Sequence, residues 1–265
     1  MQCPGRSVLE FSTKLLSHSV GAFADIPVPR PFRRFVIGTF SRCIRADHAE
    51  ARGEFEEFRS CGEYFVRALR PGSRPIANSP LVSPVDGTLR AVYSADASIP
   101  QIKGSEYSVS ELLDGDAHPY QKGSAAVLYL APHNYHRVHA PFAGTISRVK
   151  LIKGALWPVN DWGLRNVPKL FCRNERIVIE GEGALGPWAL VMVGATNVGR
   201  MELTFSKVGG AGGPESEAFP SRFPVASGAE LGRFRLGSTV VLVTSFPVAA
   251  IERPRAVRYG EALQF

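Results

Sequence analysis

An α+β fold is the class this sequence predicts: a predominantly antiparallel β core, sandwich- or barrel-like, with amphipathic helices at its N-terminal end. Three observations carry that expectation. Aromatic residues recur at helical spacing between Phe32 and Leu69. From Leu81 onward the pattern changes to short β-like runs separated by turns rather than by long helices. The 26 glycines and 20 prolines in 265 residues supply the turns that such a core needs. With 45% hydrophobic residues, the chain can bury a real core as one large domain or a domain plus a helical appendage.

The first element is a helix over Phe32 to Arg45. Phe32, Phe35, Val36, Phe40, Cys43 and Ile44 share one broad face, with Arg34, Arg42 and Arg45 clustered opposite. Aromatic residues on one side and arginines on the other suit a helix lying in a membrane interface, although a helix docked on a core shows the same division. Residues 1–45 hold seven basic groups against two acidic ones, a net +5 out of +7 for the chain, which suits an anionic membrane surface. No run of about 18 apolar residues predicts a spanning helix, and the first residues lack the pattern of a secretory signal. Attachment is expected to be peripheral.

A second helix is predicted after Asp47, with Glu50 as its capping partner and Phe55, Phe58, Phe65 and Leu69 recurring along it. Pro71-Gly72-Ser73-Arg74-Pro75 stops it and begins a connector to Pro80. Residues 1–70 therefore form the expected helical, membrane-associating region, and 81–265 the β-rich catalytic domain. Strands are expected over Ala125 to Leu130, Thr145 to Ile152, Arg176 to Glu180, Ala189 to Val193 and Met201 to Lys207. Val240 to Val243, apolar on both faces and β-branched, predicts an interior strand. Gly209 to Ser216 is the expected mobile loop. Cys3, Cys43, Cys61 and Cys172 are scattered, with neither a zinc framework nor a disulfide pattern, which favours a reducing compartment.

Three segments carry residue types that do chemistry. Leu236-Gly237-Ser238-Thr239 places a serine after a glycine at the entrance of the interior strand. Ordinary turn chemistry accounts for that pair on its own. A glycine also tolerates the strained backbone that exposes a carbonyl to a neighbouring hydroxyl. His133, His136 and His139 fall within seven residues at a spacing unlike a helical zinc pair, leaving metal binding, acid–base work and plain hydrogen bonding open. Asp86, in the turn sequence Pro84-Val85-Asp86-Gly87, can accept a hydrogen bond from a histidine. An Asp, a His and a Ser on separate segments are the parts of a base-activated nucleophile.

Eight segments in order resemble the phosphatidylserine decarboxylase family. They are Phe65 to Arg70, Ser83 to Gly87, Lys103 to Val109, Tyr135 to Pro141, Asn166 to Phe171, Asn174 to Arg176, Val193 to Gly199 and Glu230 to Thr239. The region before about Pro27 and the glycine-rich loop are not covered. The resemblance implies a proenzyme that cuts itself between Gly237 and Ser238. Asp86 would orient His139, His139 would take the proton of Ser238, and the Ser238 oxygen would attack the Gly237 carbonyl. The products would be a β chain, Met1 to Gly237, and an α chain, Ser238 to Phe265, held together by the fold as a heterodimer and open to higher assembly.

Residue 238 would become a pyruvoyl group whose ketone condenses with the amine of phosphatidylserine, giving phosphatidylethanolamine and CO2. His136 is the candidate for contacting the substrate carboxylate or returning a proton, and His133 has no role to carry over. No metal, separate cofactor or nucleic acid is implied, and the expected place is the cytoplasmic face of a bacterial cell membrane. Competing expectations are a related pyruvoyl decarboxylase of a soluble amino acid, a metal-dependent hydrolase built on His133, His136 and His139, and a non-catalytic membrane-binding β domain.

Overall fold

Pro29 and Pro31 fix the backbone at the entrance of the first helix, α1 (Arg30–Cys43), and the chain leaves it through Arg45 in the left-handed region at φ 58°. The computed structural model describes residues 23–96, 98–101, 105–196, 201–210, 212–235 and 238–264. Gly237 and parts of three of the motifs, at 103–104, 197–199 and 236–237, lie outside the described residues, as does the chain before residue 23.

The face of α1 predicted as apolar is divided. Ile37 is fully buried in a small cluster with Phe58 and Tyr64, and Phe40, Ile44 and Phe55 pack against it. The Ser41 and Tyr64 hydroxyls meet at 2.7 Å beneath the helix. Phe32 and Phe35 point away, 61% and 73% exposed. The arginines divide too: Arg33 is bonded to the Val28 and Glu56 carbonyls, and Arg34 pairs with the Glu56 carboxylate.

The long second helix is not formed. Residues 47–70 make one 3-10 turn, Phe55–Glu57, and one short helix, α2 (Cys61–Phe65), each with its own cap. The Asp47 carboxylate caps a local turn by accepting from Ala49 N–H rather than opening a helix. Glu54 instead forms the capping box with Glu57, and Ser60 caps α2 through Glu63 N–H. Gly53, at φ 101°, breaks any continuous helical path before them. The aromatic spacing therefore marked a folded, buried segment and not its helicity.

The remainder is antiparallel β-structure, as expected. The strands are β1 (Gly87–Ser94), β2 (Ile99–Gln101), β3 (Ser105–Tyr107), β4 (Ser124–Leu130), β5 (Arg137–His139), β6 (Gly144–Ile152) and β7 (Arg176–Gly183). They continue as β8 (Gly186–Val193), β9 (Met201–Leu203), β10 (Ser216–Val225), β11 (Glu230–Phe234), β12 (Ser238–Thr244) and β13 (Arg255–Val257). Short helices α3 (Val109–Leu113), α4 (Asp161–Asn166) and α5 (Leu170–Arg173) sit in the connections. Eight strands form one sheet in the order β10-β6-β7-β8-β12-β4-β1-β13, and β5-β11-β9 form a second. The strand predicted over Met201 to Lys207 stops at Leu203; Thr204 N–H still bonds the Leu231 carbonyl in the register of β9 with β11, and the chain then bends away.

The run Ser-Thr-Val-Val-Leu-Val-Thr of β12 is buried at every position and pairs with β4 on one side and β8 on the other. Its β-branched residues thus fill the centre of the large sheet, as the two-sided apolar pattern requires.

Candidate active site

Thr88 of β1 and Thr239 of β12 both pair with Tyr129 of the strand between them. Gly87 and Ser238, one residue earlier on each strand, therefore stand at the same end of the sheet, about 10 Å apart across two strand spacings. The glycine after Asp86 is a packing requirement, since a Cβ there would come 2.4 Å from the Tyr129 carbonyl oxygen. β5 closes over this end: His139 N–H donates to the Pro84 carbonyl at 2.9 Å, and Phe234 N–H to the His136 carbonyl at 2.9 Å. The two motifs that carry Asp86 and the histidines are thereby hydrogen-bonded to each other.

His139 is buried and its tautomer is determined by its partners. The Gly228 carbonyl, 2.8 Å from Nδ1, can only accept, so Nδ1 carries the proton and Nε2 the lone pair. The Tyr135 hydroxyl donates to Nε2 at 3.2 Å. Tyr259 stacks on the imidazole with centroids 3.8 Å apart and an angle of 10°. Burial lowers the His139 pKa below the usual histidine range, and the Gly228 bond only partly opposes this. The ring is neutral at pH 7, the form a general base requires.

Asp86 does not hydrogen-bond to His139. Its carboxylate accepts from Arg74 Nε at 3.1 and 3.2 Å, from Arg74 Nη2 at 2.6 Å and from Tyr259 N–H at 2.8 Å. The same arginine donates to both Glu50 oxygens, at 2.9 and 2.7 Å. Asp86 thus reaches His139 through its charge, which raises the imidazole pKa, and through Tyr259, whose backbone it holds while that ring stacks on the histidine.

His136 is fully buried beside Phe65, with ring centroids 4.1 Å apart. Nδ1 donates to the Asn134 carbonyl at 2.9 Å, and Nε2 has no partner. Burial pushes its pKa down to about 3. His133 is exposed, and its only effect on the pair is a minor electrostatic one that lowers the His136 pKa. Among the described residues no group of three His, Cys, Asp or Glu side chains is arranged to hold a metal ion. The three histidines do not form a shared site.

Ser238 is fully buried, and its Oγ makes no hydrogen bond, to His139 or to anything else. A buried hydroxyl without a partner is uncommon and marks a site of chemistry or strain. The sequence motifs supplied Asp86, His136, His139 and Ser238 but not the groups that position them. Arg74 and Glu50 had no distinguishing signal. Tyr135 stood inside the histidine motif without an assigned task, and Tyr259 lies in a segment with no motif at all.

An antiparallel β core that buries a serine and two uncharged histidines at one sheet end is here the framework of an enzyme, a carboxy-lyase. The family model described as Phosphatidylserine decarboxylase matches residues 61–264, and the chain belongs to that family. It is 38% identical over 257 residues to the phosphatidylserine decarboxylase proenzyme of Myxococcus xanthus, covering 94% of this chain and 89% of that one. Similar proenzymes are found in Methylibium petroleiphilum, 40% identical over 87% of this chain and 86% of the relative, and in Acidovorax ebreus, 37% identical over 98% and 93%.

Proposed function

We propose that this chain decarboxylates phosphatidylserine to phosphatidylethanolamine and CO2 after cutting itself between Gly237 and Ser238. The observation that carries the proposal is the fully buried, unpartnered Ser238 Oγ at the mouth of β12, on the same sheet end as Asp86 and the two neutral histidines. His139 Nε2, which accepts from the Tyr135 hydroxyl at rest, takes the Ser238 hydroxyl proton as that bond yields. The oxygen then attacks the Gly237 carbonyl carbon, the peptide C–N bond breaks, and an ester replaces the amide with the freed nitrogen protonated. Elimination across the Cα–Cβ bond of residue 238 releases Gly237 as a carboxylate. Uptake of water with loss of ammonia leaves a pyruvoyl group.

The surroundings of Ser238 fit such a group. The position is buried, and the unpartnered Oγ is free to attack without first breaking a hydrogen bond. Once formed, the group supplies a carbonyl to hold the substrate amine and an electron sink for loss of the carboxyl. This chain's residues do the rest. Phe65 gives the carboxylate an apolar surface, which favours its departure as neutral CO2. His136 Nε2 is a buried acceptor with no hydrogen-bond partner, and it holds or returns the proton that replaces the carboxyl.

The N-terminal part through α1 is the membrane-associating part in this proposal, with attachment peripheral, while the end of the expected 1–70 region packs on the β core and contributes Phe65 to the catalytic domain. Among the described residues no helix is long and apolar enough to cross a membrane. The exposed rings of Phe32 and Phe35, with Ile26 and Phe23 also exposed nearby in the chain, support insertion at the interface. These exposed apolar side chains favour a lipid substrate over a soluble amino acid. Mass spectrometry of the purified protein tests the cleavage: two chains divided at 237/238, the smaller about 3 kDa and blocked at its N-terminus, are expected, while an active uncut chain would sink the proposal. Phe32→Ser with Phe35→Ser should release the cut enzyme from anionic vesicles in sedimentation. Phe40 is left in place because it packs against Tyr64.

A further inference from the structure

The loop after α2 is tied to the strand that bears the histidines. Arg137 Nε donates to the Val66 carbonyl at 2.9 Å, and Phe65 packs on His136. The next residue, Arg67, is only 4% exposed. Its Nη2 donates to the His133 carbonyl at 3.3 Å, and its guanidinium carbon lies 5.2 Å from the centre of the Tyr64 ring. Nε and Nη1 are buried and have no partner. Of the nearby carboxylates that offset its charge at a distance, Asp86 and Glu50 are hydrogen-bonded to Arg74 and Asp47 to Ala49 N–H, and none is hydrogen-bonded to Arg67.

A buried guanidinium with unmet donors is costly, and a cation held this way suits an anion that arrives from outside. The reaction proposed above supplies one. Its substrate headgroup has three charges: an ammonium, which goes to residue 238, a carboxylate and a phosphodiester. A guanidinium on the carboxylate would stabilise the ground state and lose its partner as CO2 forms, which slows the step. The phosphodiester keeps its charge throughout, and its oxygens match the donor fork of an arginine.

We propose that Arg67 binds the phosphodiester of the lipid headgroup and so sets the preference for a phosphate-bearing substrate over a free amino acid. This rests on the decarboxylase function proposed above. Its residues differ from those of the cleavage step, so the two can fail separately. The test is binding of glycerophosphoethanolamine, which has the phosphodiester and no carboxylate, to the Ser238→Ala protein, where no cleavage chemistry intervenes.

Adding Arg67→Met to that protein should weaken calorimetric binding about 100-fold, as expected for loss of charge-assisted hydrogen bonds. Equal binding with and without Arg67 overturns the proposal. In the cut enzyme, Arg67→Met should raise KM for phosphatidylserine while leaving turnover of a phosphate-free serine ester unchanged. An equal loss on both substrates overturns it in favour of the carboxylate. Should Arg67→Met fail to fold, the Nε–H resonance of Arg67, assigned by its disappearance in Arg67→Lys, serves instead in the Ser238→Ala protein. It should shift on adding glycerophosphoethanolamine, and an unmoved resonance overturns the proposal.

Discussion

The surroundings of His139 and of His136 differ in one respect. Each ring is buried, each gives Nδ1–H to a backbone carbonyl, and each has its pKa lowered by burial. His139 Nε2 is already engaged by Tyr135 and its face is covered by Tyr259, so its position is fixed before any substrate arrives. His136 Nε2 makes no hydrogen bond. A pre-set base suits a reaction the chain performs on itself. An unpartnered acceptor suits one that needs a second molecule, and the difference is in keeping with the successive reactions proposed above for the two neighbours.

The strongest way to break this comparison is His139→Ala. Self-cleavage should slow by about 10³-fold or more, the usual contribution of a positioned base, and a normal cut on a denaturing gel would end the assignment. In wild type the cleavage rate should stay level from pH 8 to 6.5 and fall only below that, because the depressed pKa keeps the base unprotonated until more acid conditions.

His136→Ala should cut normally yet decarboxylate about 100-fold more slowly in a CO2-release assay. Loss of cutting in that variant would merge the two roles.

A stability measurement sharpens the comparison. Unfolded His136 takes a proton near pH 6.5, whereas the folded ring does so only at about 3, so the unfolded state binds more protons between these values. Stability from this group is fully present above pH 6.5 and falls as pH drops through that window. By pH 5 the loss should be about 2 kcal/mol relative to His136→Phe, read from urea midpoints.

The smallest effect expected is that of Tyr259→Leu, which removes the ring stacked on His139. Cleavage should slow by about tenfold or less, in keeping with the worth of one aromatic pair. An effect as large as that of His139→Ala would mean that Tyr259 takes part in the chemistry.

Much of this site was legible because its residues sit in short motifs whose order survives without a structure. Asp86, His136, His139 and Ser238 could be named from neighbours in the chain. What holds His139 could not. Gly228 and Tyr259 come from segments about 90 and 120 residues away, and the pairing of β11 with β5 and of β13 with β1 brings them to the ring. The interior strand was legible for a similar reason, since Val240 to Val243 is apolar on both faces. The 3-10 turn and short helix of residues 47–70 were not. Their aromatic spacing fits a helix, and the breaks come from local caps at Glu54 and Ser60 that outweigh the period. Strand β10 was missed because seven of its ten residues are exposed and two are prolines, the composition of a sheet edge and not of a core.

The placement of β12 between β4 and β8 changes the molecularity of unfolding. Before the cut, the strand is one segment of a single chain, and loss of structure is a first-order event that leaves its parts tethered. After a cut at Ser238, the same strand belongs to a separate peptide. Unfolding then releases two molecules, and recovery depends on their meeting. The melting midpoint of the processed protein should rise with its concentration, while that of an uncut variant should not. Dilution becomes a denaturing condition for the mature protein alone.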